Sequence, residues 1–193
     1  QPLVETIGPS LAGDQLSAGL TAGGIGLAIV MLYCLLYYRG LGTVVVASLF
    51  VAAGITYAMV LLLSETANFT LTLPGIAGII VAVGITADSF IVYFERIRDE
   101  LRDGKSITGA VEDGWARAKR TIYISKSINI LAAGVLYILA DATVKGFAFT
   151  LGLTTVIDVL IFIIFTHPVM QLLARTRFFG QGHPLSGLDP HAL

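Results

Sequence analysis

Three ionisable residues, Asp88, Lys126 and Asp158, sit inside runs that are otherwise apolar, in a chain of 193 residues that is 55% hydrophobic and 13% charged. A charge at the centre of a bilayer costs about 2.5–3.5 kcal/mol on insertion scales, so such residues face a bundle interior and mark ion or substrate paths. Carboxylates near a cation in an apolar setting suit groups that take up and release a proton. Hydroxyls extend the pattern. Thr150, Thr154 and Asp158 recur at i, i+4 and i+8 and form one polar stripe on a helix. Gly84 and Asp88 share a helical face, while Gly75 and Gly78 lighten the same segment for close helix approach. Lys126 and Asn129 are i,i+3 neighbours. A second reading of Lys126 stands beside the first, because a long stem can snorkel its ammonium to the nearer interface. For the two aspartates the alternative is a static hydrogen bond that holds helices together.

Such residues need elements long enough to hold them at depth. A bilayer span takes about 20 apolar residues, and five runs qualify: Gly19–Tyr38, Leu41–Leu63, Leu73–Phe94, Ile122–Ala140 and Phe147–Thr166. Arg39-Gly40, the polar stretch 64–68, the charged block Glu95–Thr121 and Asp141–Gly146 separate them. A soluble domain carries roughly 25% charged residues; this chain has half that share and a mean hydropathy of +0.84. The expected fold is therefore an all-α membrane bundle of five transmembrane helices. Residues 1–18 read as the end of an extracytoplasmic segment, 19–177 as the membrane domain and 178–193 as a Gly- and Pro-rich, disordered cytoplasmic tail. The chain opens on Gln1 with no cleavable leader and reads as a piece of a longer protein.

Loop Lys and Arg set the orientation. One side holds ten: Arg39, Arg96, Arg98, Arg102, Lys105, Arg117, Lys119, Arg120, Arg175 and Arg177; the other holds Lys145 alone. The N-terminus is then outside and the C-terminus inside. Counted from the inner ends of their spans, Asp88 lies roughly 9 Å deep, Asp158 roughly 12 Å and Lys126 roughly 6 Å. At those depths all three can meet in the cytoplasmic half. The block Glu95–Thr121 reads as two short cytoplasmic helices joined at Gly104, with Glu95–Arg98, Asp99–Arg102 and Asp113–Arg117 pairs at helical spacing. The second either lies flat in the interface, anchored by Trp115, or is a solvated connector.

Several classes fall away. A net charge of −1 does not suit a nucleic-acid binder. One cysteine, Cys34, excludes an internal disulfide framework, and His167, His183 and His191 are too widely spaced for a local metal motif. Asn68-Phe69-Thr70 matches a glycosylation sequon, a pattern short enough to arise by chance. No Ser/His set, paired aspartates or GxSxG supplies a nucleophile and base, so an intramembrane hydrolase is not expected, and no cofactor is implied.

Two longer strings carry a resemblance. Leu73-Pro74-Gly75-Ile76-Ala77-Gly78-Ile79-Ile80 runs through Gly84-Ile85-Thr86-Ala87-Asp88 to Phe94-Glu95-Arg96-Ile97-Arg98-Asp99-Glu100 and resembles the fourth transmembrane segment of SecD, an accessory component of the bacterial Sec translocase. Val144-Lys145-Gly146-Phe147-Ala148-Phe149-Thr150-Leu151-Gly152 resembles the start of that family's last segment, and Ile7-Gly8-Pro9-Ser10-Leu11 its return from the extracytoplasmic head. The likeness is colinear over residues 7–175. It implies half of a resistance-nodulation-division (RND) type bundle, here without its first helix and head domain. It also implies a bacterial inner-membrane location, with a SecF-like subunit, the SecYEG channel, YajC and the translocating preprotein as partners in the lipid bilayer. The residue matching Asp88 would be proton-motive, and Glu95, Arg96 and Arg98 belong to the cytoplasmic motif. The family often reads Asp-Ala-Asn where this chain has Asp88-Ser89-Phe90. A polar partner is lost there, and Lys126 and Asp158, with Thr154 bridging, are candidates to replace it. The alternative function is a proton-coupled RND-type exporter half or a sterol-sensing-like module.

Overall fold

Thr72 and Ser106 decide where two of the long helices begin. In each case the side-chain hydroxyl accepts a hydrogen bond from the amide three residues on, Gly75 N at 3.2 Å and Gly109 N at 3.3 Å. These bonds satisfy amides that have no partner inside the helix. Pro74 follows Thr72 in the first turn, where a missing N–H costs nothing. The computed structural model describes residues 9–188, with side chains from residue 13. Its helices are α1 (Pro9–Tyr38), α2 (Gly40–Ala67), α3 (Leu73–Arg102), α4 (Ile107–Leu139), α5 (Ala142–Ile161), α6 (His167–Ala174) and α7 (Arg177–Gly180). No strand occurs among the described residues.

Five helical stretches are long and apolar enough to cross a membrane: Gly13–Tyr38, Gly40–Ala67, Leu73–Arg102, Ile107–Leu139 and Ala142–Ala174. α3 and α5 are central and the most buried; α1 is peripheral and almost wholly exposed. Close approach of α3 to α5 depends on Gly78, where a β-carbon would strike the Thr150 side chain and the Phe147 carbonyl. Gly75 lies in the same seam, and its carbonyl accepts from Thr150 Oγ1 at 2.8 Å. Gly84 differs. It looks onto open space on the outer side of α3.

The spans extend further than the hydropathy runs suggest. The block Glu95–Thr121 does not make two separate interfacial helices. Its first part is the last two turns of α3 and its second the first turns of α4, joined by a tight turn in which Gly104 takes φ 84°. Continuity wins because Glu100, fully buried, is gripped by Lys105 at 2.5 Å and Arg117 at 2.9 Å, while Gly114 lets α4 touch the Ile97 backbone. Asp113 pairs with Lys105 at 2.5 Å. Trp115, half-buried, stacks on His167, 4.6 Å between centroids, and on Phe162.

Between α5 and α6 the chain makes a π-helical turn, Phe162–Thr166. Pro168 explains it, since proline cannot donate to the carbonyl one turn back and its ring crowds that carbonyl. The wider turn brings Thr166 Oγ1 to Ser48 Oγ at 3.1 Å, a buried link to α2.

The tail departs from the expected disorder as far as Leu188; residues 189–193 lie outside the described residues, as do 1–8. Arg39, at φ 51°, turns the chain sharply between α1 and α2 and leaves α2 with no side-chain cap. The tail supplies the acceptors instead. Gly40 N donates to Leu185 O at 2.9 Å, Leu41 N to Ser186 O at 3.1 Å, and Arg39 Nη1 to Pro184 O at 2.5 Å. Ser186 and Leu188 are fully buried as a result. Composition predicts disorder because it counts glycine and proline; it does not register orphan amides elsewhere that need carbonyls.

Candidate functional site

Asp158 on α5 and Lys126 on α4 meet inside the bundle. Lys126 Nζ lies 3.2 Å from Asp158 Oδ2, with the lysine side chain 1% and the aspartate 6% exposed. Lys126 also donates to the Ile85 carbonyl of α3 at 3.4 Å. It therefore points inward and does not snorkel. Thr86 of α3 completes the group by donating to the same carboxylate oxygen, Asp158 Oδ2. Two helices, α3 and α4, thus place one donor each on a single oxygen that α5 supplies. In so dry a setting the pair's attraction is barely screened, and each charge depends on the other to offset its lost hydration.

Asp88 is elsewhere. It stands on α3 two residues after Thr86, about 200° further round the helix, and its side chain is exposed. It lines a separate cavity of about 380 Å³ with Gly84 and Ile91 of α3 and with Tyr33 and Cys34 of α1. Among the described residues it makes no hydrogen bond and no ion pair. The expected meeting of Asp88 with Lys126 and Asp158 is therefore not found. Depth alone suggested it, and angular position around α3 decides against it. Thr154 also fails to bridge: its hydroxyl donates back into α5, to Thr150 O at 2.7 Å and Leu151 O at 3.1 Å. It lines the cavity beside Asp158 without bonding to it.

The charged motif at the end of α3 is built on Arg98. Its guanidinium lies over the Tyr38 ring, 4.6 Å from the centroid, while Nη1 reaches Glu95 at 3.3 Å and Nη2 reaches Tyr37 O at 3.3 Å. Tyr38 donates to the same Glu95 carboxylate at 3.1 Å. The motif therefore ties α3 to the end of α1. Arg96 lies outside this knot, exposed and paired with Asp99 at 3.5 Å.

Sequence reasoning missed Thr86, Glu100 and the Tyr93–His167–Trp115 group, in which Tyr93 Oη and His167 Nδ1 are 3.1 Å apart. A signal for Thr86 existed, since it lies in the Gly84–Asp88 string, but its partner is 72 residues away on another helix.

The family model described as protein export membrane protein SecD/SecF, C-terminal, matches residues 1–176. The SecD subunit of Streptomyces coelicolor is 56% identical over 190 residues, which is 98% of this chain and 33% of that protein. The Mycobacterium tuberculosis SecD subunit is 48% identical over 177 residues, 92% of this chain and 31% of that protein. This chain thus spans about a third of the length of these curated relatives. Among solved structures, the crystal structure of SecDF from Thermus thermophilus, described as a translocon-associated membrane protein, superposes with a TM-score of 0.78 at 36% identity, over 87% of this chain and 23% of that one. A SecDF structure in a super-membrane-facing form gives 0.74 at 35% identity, over 86% and 22%. Family model, identities and superposition agree that the chain belongs to the SecD/SecF family of protein-export membrane proteins, and that its helices form that family's membrane domain.

Proposed function

We propose that this chain is the membrane domain of a Sec translocase accessory subunit that uses the proton-motive force to assist protein export across a bacterial cytoplasmic membrane. The observation that carries the reading is the position of Asp88, an ionisable group at membrane depth, set on the open face of α3 above Gly84 with no partner among the described residues. A carboxylate left so in a bilayer needs a covering helix. A SecF-like half that closes over α1 and α3 supplies one and turns the Asp88 cavity into an internal passage. The SecYEG channel, YajC and the emerging preprotein are further partners on this reading, and the domain acts as a non-enzymatic accessory.

The ten-to-one Lys and Arg asymmetry puts the α3–α4 hairpin and the tail in the cytoplasm and the N-terminus outside. One charge moving through 100 mV yields about 2.3 kcal/mol, enough to bias a two-state rearrangement roughly 50-fold. Asp88 takes a proton from outside, becomes neutral and releases it inward once the helices have shifted. Asp88→Asn, placed in the full-length subunit with its partner, mimics the protonated state. Gradient-dependent export in inverted vesicles should be lost while assembly persists. Full gradient response in that variant would refute the role.

A further inference from the structure

The Lys126–Asp158 pair stands between a cavity that Asp158 lines and an outer groove that Lys126 lines. One, of about 410 Å³, runs from Leu20 and Leu71, at the end of the bundle with the α2–α3 loop, down to Thr86 and Asp158. The other, of about 430 Å³, is an open groove on the outer face of α4 and α5 that reaches Lys126 beside Tyr123 and Ser127, near the charged hairpin. Asp88 borders neither; its cavity lies on the other side of α3.

Asp158 is equipped to hold a proton. Both of its partners use Oδ2, so Oδ1 has none among the described residues although the side chain is 6% exposed. Thr86 fits either charge state. Its hydroxyl has one hydrogen and two acceptors in reach, Asp158 Oδ2 and the Ala82 carbonyl at 2.8 Å. It can donate to the carboxylate, or donate to Ala82 and accept from a protonated carboxyl. A purely static ion pair has no use for that freedom.

We propose that Lys126, Asp158 and Thr86 form a second proton-transfer station, separate from Asp88, loaded at Asp158 from the α2–α3 loop side and emptied at Lys126 toward the charged hairpin. The proposal rests on the reading that this domain runs on a proton gradient. A proton entering the first cavity bonds to Asp158 Oδ1, rotation of the carboxyl turns it toward Thr86 and Lys126, and the neutral carboxyl loosens its hold on the ammonium. Lys126, without its counter-charge, gives a proton to a water that enters by the outer groove and becomes a neutral amine. Its lone pair then takes the proton from Asp158, which restores carboxylate and ammonium. One proton has crossed and no other bond has changed. The groups facing Asp158 permit this: α4 brings Lys126, α3 brings Thr86, α2 brings Thr56 and Tyr57, and α1 brings only leucines. Tyr57 is the one other titratable side chain lining that cavity.

The test uses the full-length subunit with its partner subunit in liposomes that trap a pH-sensitive dye. Proton flux is followed in an Asp88→Asn background, with Lys126→Arg or Asp158→Asn added. Arginine keeps the pair charged and does not deprotonate, so it separates a relay from a structural contact. Asp88→Asn should retain measurable flux, and Lys126→Arg should lower that remainder at least tenfold while helicity and assembly are kept. Infrared spectra of Asp88→Asn should show a protonated-carboxyl band that Asp158→Asn removes. Equal flux with Lys126 and with arginine would make the pair purely structural and overturn the proposal. So would flux in Asp88→Asn no greater than in protein-free liposomes, which leaves the export reading intact. Full gradient-dependent export in Asp88→Asn refutes the export role of Asp88 instead, and the arginine comparison still decides the station.

Discussion

Thr86 and Asp88 stand two residues apart on α3 and serve opposite faces of it: Thr86 donates to the buried Asp158 carboxylate, while Asp88 is exposed on the side toward α1. One helix turn therefore feeds two polar sites that do not touch. Any change to α3 that rotates it about its axis must disturb both sites at once.

Removing one member of the buried pair should cost more than removing both. Lys126→Met leaves the Asp158 charge alone in an apolar interior, and breaking a buried pair in this way costs about 3–5 kcal/mol. The double variant Lys126→Met/Asp158→Leu should recover most of that loss. Thermal unfolding in detergent of both single variants and the double one gives the coupling. Additive losses would mean that the two side chains do not interact.

The glycines of α3 should differ by position. Gly78→Ala drives a methyl into Thr150 and the Phe147 carbonyl, an overpacking worth about 1–3 kcal/mol. Gly84→Leu meets open space and should leave the isolated bundle within about 0.5 kcal/mol of the parent, yet block assembly with a SecF-like half. Melting curves and co-purification distinguish the two effects.

The hairpin clamp should fail at alkaline pH. Lys105 bonds Asp113 and the buried Glu100, and these two carboxylates hold its pKa above the ordinary lysine value. A raised folded-state pKa means that the contribution is whole below the ordinary lysine range and is lost as pH rises through the raised value. Stability measured stepwise into alkali should fall in the parent more steeply than in Lys105→Met. Parallel curves would show that the lysine adds nothing.

Trp115 should matter as packing. Its stack on His167 and Phe162 and its edge contact with Tyr93 bind α4, α3 and the π turn together. Trp115→Ala should cost about 3–5 kcal/mol, whereas Trp115→Phe keeps most of the contact. A helix held only by the membrane interface would instead show loss of lipid binding with an unchanged melting point.

How much of this could be read from the residues depends on range. The five spans follow from apolar runs alone, because a bilayer imposes length on any helix that crosses it. Depth was legible too, which is why Asp158 and Lys126 could be put together. Azimuth was not: Asp88 lies at a similar depth but on another face, and only the packing of α1 and α5 on opposite sides of α3 fixes which face is buried. Glu100 illustrates a further limit. In sequence it is one acid in an alternating-charge stretch, with nothing to say that Lys105 and Arg117 will close over it.

The seal between α1 and α2 has a consequence for biogenesis. Arg39 waits for Pro184 across 145 residues of sequence, and at about 5–20 residues per second that interval is roughly 7–30 s. Throughout it, the amides of Gly40 and Leu41 lack the carbonyls that cap them in the folded chain. The corner is closed only by residues 184–186, so a product that ends just short of Pro184 would carry all five apolar helices and still lack the acceptors for Arg39, Gly40 and Leu41.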